Sequence, residues 1–188
     1  MEFFLGQPGS VGGAVWINAH NMKMGKYISD AIVSAIIFDS DNKIRNVPKS
    51  YFKFNYDSSI IQKTNDIVLS VLFELSNSDK VKLWQVAKEA LLYRGITQPR
   101  GVYSSGCIFR NISQRDAVRI ATPDYTRSAG YLLENAGMKN VSVGKARFSD
   151  LHANFIIHHG DANADEVSKL IALAKLKVKS KFNVDLGS

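Results

Sequence analysis

The 188-residue sequence predicts an α+β fold, and three observations carry that prediction. Short β-prone runs at 33–38 and 67–73 stand beside helix-length amphipathic runs near 80–94 and 163–178. Strands and helices do not alternate in the regular βαβ rhythm of a doubly wound sheet. A cluster of breakers, Thr97-Gln98-Pro99-Arg100-Gly101, punctuates the chain near its middle. It divides the sequence into an expected first domain, 1–98, and an expected second domain, 99–188.

The first element is a glycine-rich loop, Gly6-Gln7-Pro8-Gly9-Ser10-Val11-Gly12-Gly13-Ala14. Glycines free the backbone for positive φ and for close approach to a ligand. Successive amide groups can then cradle a phosphate. The spacing is not that of the dinucleotide fingerprint, and no apolar strand precedes it. Only Met1 to Leu5 come first, so the chain is expected to begin inside a domain.

Residues 33–38 read as a buried strand, 39–42 as a turn and 43–47 as the returning strand, which Pro48 ends. Residues 67–73 read as a mostly buried strand. Asn77-Ser78-Asp79 reads as the cap of a helix that runs to Arg94 and stops at Gly95, with Val81, Trp84, Ala87 and Leu91 along one face. In the second half, a helix through Ala129 and Leu133 closes at Gly137. Short strands follow near 143–148 and 153–158. Asn163 and Glu166 signal a last helix whose buried stripe is Val167, Leu170, Ile171, Ala174 and Val178.

Composition narrows the function classes. The formal charge of +7 is dispersed, and its densest part, Lys169, Lys175, Lys177, Lys179 and Lys181, reads as a solvated helix face. No basic-and-aromatic motif accompanies it, so nucleic acid is not the expected partner. No run reaches membrane-spanning length, and Phe3-Phe4-Leu5 is too short for a signal core. One cysteine, Cys107, excludes an internal disulfide and suits a reducing, cytoplasmic compartment. His20, His152, His158 and His159 have no metal-ligand spacing; His158 and His159 are adjacent and, in a strand, face opposite ways, so no metal site is expected.

Ser104-Ser105-Gly106-Cys107-Ile108-Phe109-Arg110-Asn111 gathers a thiol, hydroxyls, a guanidinium and an amide beside a glycine. Cys107 alone reads as a small buried hydrophobe or, as a functional group, as a nucleophile or a proton donor. A thiol, with a reference pKa near ~8.5, is a much better acid at neutral pH than a serine hydroxyl. Phe54-Asn55-Tyr56-Asp57-Ser58-Ser59 reads as a structured loop.

These segments, in this order, resemble the MurB family of FAD-dependent UDP-N-acetylenolpyruvoylglucosamine reductases. Gly6 to Ala14, with Asn18-Ala19, matches the family's G-I-P-G-[TS]-V-G-G-A loop and N-A pair. Ser104 to Ile112 matches S-A-G-S-x-F-K-N-P. Ala129 to Lys139 matches A-G-x-L-I-E-x-A-G-L-K, and His152-Ala153-Asn154-Phe155-Ile156 matches H-A-N-F-I. The collinear set spans nearly the whole chain.

The resemblance implies the remainder of a vanillyl-alcohol-oxidase/MurB-type FAD-binding domain followed by a MurB substrate-binding α+β domain. It implies a cytoplasmic step of peptidoglycan synthesis: NADPH reduces FAD, which reduces UDP-N-acetylglucosamine enolpyruvate to UDP-N-acetylmuramate. FAD would lie on Gly6, Pro8, Gly9, Ser10, Val11, Gly12, Gly13, Ala14 and Asn18. The proton-donor serine falls on Cys107. Asn111 matches the asparagine that contacts the nucleotide, Arg110 keeps a lysine's charge, and Gln98 and His152 are further substrate contacts. Two positions depart from the family. Its Y-R-x-S arginine falls on Asp57, and its C-terminal catalytic glutamate lies past Ser188. The expectation is therefore a fragment lacking the amino-terminal FAD subdomain, inactive or weak alone. The alternative is a catalytically impaired UDP-sugar-binding remnant.

Overall fold

The computed structural model describes residues 1–187. The chain forms two compact units, Met1–Arg94 and a second that starts at Gly95.

The first unit opens with a 3-10 turn, Glu2–Phe4, and helix α1, Val11–Ile17. The glycine-rich segment is therefore a loop only as far as Ser10. Ser10 caps the helix, its Oγ accepting the Gly13 amide at 3.0 Å, and Asn18 closes it in the left-handed conformation, φ 53°. Two glycines inside a helix cost roughly 1 kcal/mol each relative to alanine. The caps and the burial of Val15 offset that cost.

A two-residue hairpin follows, β1 His20–Asn21 with β2 Lys26–Tyr27. The main sheet then pairs β3 Ile32–Phe38 with β4 Ile44–Pro48, and later β5 Ile67–Phe73, all antiparallel in the order β4-β3-β5. The β3–β4 turn is held by Asp39, whose Oδ1 accepts the amides of Asp41 and Lys43, each at 3.0 Å. Those amides, Lys43's first, and the Arg45 guanidinium hold the Asp39 carboxyl below the ordinary carboxylate range. Pro48 ends β4 opposite Ser34. The short helix α2, Ile61–Thr64, lies between β4 and β5. The core of this unit is Val15, Ala35, Ile37, Val47, Phe52 and Ile61.

Two strand expectations need correction. In β3, Ile32, Ala35 and Ile37 are buried, but Val33 and Ile36 are exposed; a bulge between Ile32 and Ser34 shifts the alternation. In β5, expected to be mostly buried, Ile67, Leu69 and Leu72 are exposed, because β5 is the sheet's edge and packs on one face.

Helix α3, Lys80–Thr97, starts where expected, with Asp79 Oδ1 accepting the Lys82 amide at 2.9 Å. It does not stop at Gly95. That glycine lies inside the helix, where a side chain would press on the Arg100 guanidinium about 3.0 Å away. The expected buried face is also corrected: Ala87 and Ala90 are buried, but Val81, Trp84 and Leu91 are exposed.

The second unit holds α4 Gln114–Ile120, α5 Ala129–Asn135, a small antiparallel sheet β6 Ser142–Val143, β7 Ala146–Phe148 and β8 Ile156–Ile157, and α6 Ala164–Phe182. The run expected as one strand, 143–148, is a hairpin turned at Gly144, φ +57°. The strand expected over 153–158 is shorter, because residues 151–154 form turns. His158 only bridges to Tyr103, and His159 lies outside the strand. Asn163 and Glu166 form the expected reciprocal cap of α6. Leu170, Ala174 and Val178 of α6 pack with Leu132, Leu133, Met138 and Phe148 into the core.

Candidate functional site

In the first unit, the glycine segment and the 54–59 loop are tied to opposite ends of α1. At the amino-terminal end, Gly6 and Gly9 have φ +78° and +135°, conformations that favour glycine. At Gly6 even a methyl group would meet Leu91. At Gly9 nothing lies within 4 Å of where a side chain would start, so the backbone is open to close approach. The amides of Val11 and Gly12 begin the helix and have no intrahelical acceptor. Gly9, Ser10, Val11 and Gly13 are exposed, and Gly12 and Ala14 are half-buried. An open backbone at Gly9 leading into the uncapped Val11 and Gly12 amides fits a phosphate-bearing cofactor such as FAD.

At the carboxyl-terminal end of α1, the Trp16 carbonyl accepts from Ser59 Oγ at 2.7 Å and from Gln62 Nε2 at 2.9 Å. Asn18 Nδ2 donates to the Asn55 carbonyl at 3.0 Å, while its buried Oδ1 has no hydrogen-bond partner. Asn55 and Ser58 bridge across a tight turn that puts Asp57 at φ 48° with its side chain mostly buried. The Asp57 carboxylate lies 3.5 Å from His20 Nδ1. No hydrogen bond reaches that buried nitrogen, and the His20 ring is flanked by Tyr27 and Tyr56 at centroid distances of 5.4 and 5.2 Å.

In the second unit, Cys107 is exposed, not buried. It follows Gly106, φ +92°, and bridges to Phe155 in the backbone. The residues after it are fixed by Asn154. The Ile108 amide donates to the Asn154 carbonyl at 2.9 Å. The buried Asn154 side chain accepts the Phe109 amide at 2.9 Å and donates to the Phe109 carbonyl at 2.8 Å. Asn111 Oδ1 accepts the Ala129 amide, the first of α5, at 3.0 Å. Arg110 is exposed, and its amide donates to the Gly187 carbonyl.

His152 lies on the turn before Asn154, edge-on to Phe155 at 4.9 Å, its Nδ1 accepting the Asn154 amide at 3.2 Å. Burial, the largest influence, pushes the His152 imidazole below the ordinary histidine value. Gly130 of α5 makes room for it; a side chain there would start 3.0 Å from His152 Cε1. Thus hydrogen bonds link the Ile108–Phe109 backbone that follows Cys107 to Asn154 and His152, and Asn111, farther along the same segment, accepts from α5. Gln98 is half-buried just after α3. Among the described residues no three His, Cys, Asp or Glu side chains could share a metal ion, and no helix is long and apolar enough to cross a membrane.

Residues 98–188 match the profile described as UDP-N-acetylenolpyruvoylglucosamine reductase, C-terminal domain. The chain is 37% identical over 187 residues to the UDP-N-acetylenolpyruvoylglucosamine reductase of Bacillus pumilus, covering 99% of this chain and 57% of that protein. Residues 98–188 belong to the C-terminal domain family of UDP-N-acetylenolpyruvoylglucosamine reductases. The reductase of Chlamydia abortus is 38% identical over 182 residues, 96% of this chain and 55% of that protein. The crystal structure of the Thermus caldophilus reductase superposes with a TM-score of 0.78 at 29% identity, covering 98% of this chain and 61% of that one. The chain thus spans little more than half the length of the curated relatives it matches.

The sequence reading missed the central place of Asn154, although the residue lies in the quoted His152–Ile156 segment. It also missed the approach of His20 to Asp57, which lie 37 positions apart in sequence and which no short motif joins.

Proposed function

We infer that this chain carries the flavin-facing helix and the substrate-binding domain of a reductase that converts UDP-N-acetylglucosamine enolpyruvate to UDP-N-acetylmuramate. The domains are read as 1–98 and 99–188. The observation that carries the reading is the Asn154–His152 network that anchors the backbone just after Cys107, within a chain that relatives named as this reductase match over nearly its whole length.

FAD, when bound, supplies the reducing equivalent, regenerated from NADPH. Gly6, Gly9, Ser10, Val11 and Gly12 would approach its phosphates through backbone amides; Pro8, which has no N–H, and Gly13 and Ala14, whose amides bond Ser10, would shape that approach, with Asn18 at the far end of α1. Cys107 would donate the proton from its exposed thiol, next to backbone that Asn154 anchors. Asn111 and Arg110 would bind the nucleotide, with Gln98 and His152 as further contacts. No residue here is assigned to NADPH. The setting is a reducing, cytoplasmic one.

Calorimetry with the enolpyruvyl nucleotide and with UDP-N-acetylglucosamine tests the reading. Heat with both, lost in Asn111→Ala, supports it; no heat with either overturns it. Asp57, at the position of the family's arginine, supports the second reading, a UDP-sugar-binding remnant without turnover. That reading expects the same heats but no NADPH oxidation when FAD and substrate are supplied together.

A further inference from the structure

We propose that Arg94 is a positioning residue for the glycine-rich loop: its guanidinium latches Gln7 and so presets the backbone at Gly9 for the phosphates of the cofactor. This deepens the proposed function and rests on its placement of FAD at that loop.

The loop is pinned at both ends. At the far end Ser10 caps α1, its Oγ accepting the Gly13 amide. At the near end Arg94 Nη2 donates to Gln7 Oε1 at 2.8 Å, across 87 positions of sequence. A hydrogen bond from a charged donor is stronger than one between neutral groups. The Gln7 amide also donates to the Phe4 carbonyl at 3.0 Å. Leu91 sits against Gly6, where even a methyl group would meet it. Leu91 and Arg94 are one turn apart on α3, so a single helix face reaches both Gly6 and Gln7.

The segment leading into the loop is held as well. Asn21 Nδ2 donates to the Phe3 carbonyl at 3.1 Å. Lys23, in the β1–β2 turn, lies over the Tyr93 ring of α3 at 4.5 Å. Phe4 and Leu5 line a cleft together with Leu83 and Ala87 of the same helix. Between the two anchors lie only Pro8 and Gly9. The proline ring fixes its own φ and keeps Gln7 out of helical backbone. Gly9, φ +135°, is open to close approach. Ordering a loop before its ligand arrives removes that cost from binding. The latch therefore acts on affinity for the phosphates, while Gln7, being exposed, contributes little to the fold.

The experiment titrates the whole chain, with labelled glycine, against FAD and against riboflavin, which has no phosphates. Gln7→Leu keeps the bulk and removes the acceptor. The amides of Gly9 and Gly12 are expected to shift with FAD in the wild type. Gln7→Leu should weaken FAD binding by about fivefold, a typical net value for one hydrogen bond. Arg94→Ala should weaken it at least as much, and the double variant no more than Arg94→Ala alone. Riboflavin binding and the urea midpoint of Gln7→Leu should match the wild type. Glycine shifts in the wild type with undiminished FAD affinity in Gln7→Leu overturn the latch and leave the proposed function standing. Losses that multiply in the double variant, an equal loss for riboflavin, or a lowered urea midpoint in Gln7→Leu do the same. No FAD shift at either glycine in the wild type overturns the flavin placement and this inference with it.

Discussion

Asn154 supplies both hydrogen-bond partners of Phe109: its Oδ1 accepts the amide at 2.9 Å and its Nδ2 donates to the carbonyl at 2.8 Å. A side chain thus acts as a strand neighbour, two residues after the exposed thiol of Cys107. Asn154→Ala leaves a buried donor and acceptor unpaired, at about 1–3 kcal/mol each. The expected outcome is a loss of roughly 2 kcal/mol or more in urea unfolding, with faster alkylation of Cys107 as its neighbourhood loosens. An unchanged unfolding midpoint would show that Phe109 is held by something else.

His152 makes stability depend on pH. Burial lowers its folded value below the ordinary 6.5, so the unfolded chain binds the proton more readily. Its contribution is complete above pH 6.5 and is lost as pH falls through the unfolded and then the lowered folded value. The His152→Gln chain should show a flatter stability curve between neutral pH and about pH 5, measured by thermal melts across buffers.

Gly144 turns the β6–β7 hairpin at φ +57° directly against Glu166. Gly144→Ala adds left-handed strain of roughly 1–2 kcal/mol and pushes Glu166 out of the α6 cap, for about another 1 kcal/mol. Glu166→Ala should lose only the cap contribution. Comparing the two melts separates strain from capping.

Cys107 is the proposed proton donor. With FAD, NADPH and the enolpyruvyl substrate supplied to a turnover-competent reductase carrying this sequence, Cys107→Ala should cut the chemical step by about 100-fold or more, and Cys107→Ser should keep most of it. An undiminished rate in Cys107→Ala would remove the thiol from the mechanism.

What could be read in advance followed the range of the interactions. Ser10, Asp79 and Asn163 each cap a helix within three residues, and sequence displays such local signals directly. Helix α4 was missed although Ser113 and Asp116 cap it in the same manner, because its seven residues carry little apolar periodicity. Exposure was misread in β5, where β-propensity reports the pleat and not what covers it. In the candidate site, the glycines and the Cys107 segment are contiguous and legible. The grip of Asn154 on Phe109 and the approach of Asp57 to His20 depend on chain reversals that no local pattern encodes.

The outward face of β5 governs how the chain behaves in a test tube. Ile67, Leu69 and Leu72 project from an edge strand, and Val33 and Ile36 extend the same apolar character into its neighbour. Such an edge is a template for pairing with other strands. Each assay above therefore has a concentration axis. At low protein the chain reports its own unfolding and ligand binding, while at high protein those signals mix with self-association. A lysine placed at Leu69 would lengthen the usable range.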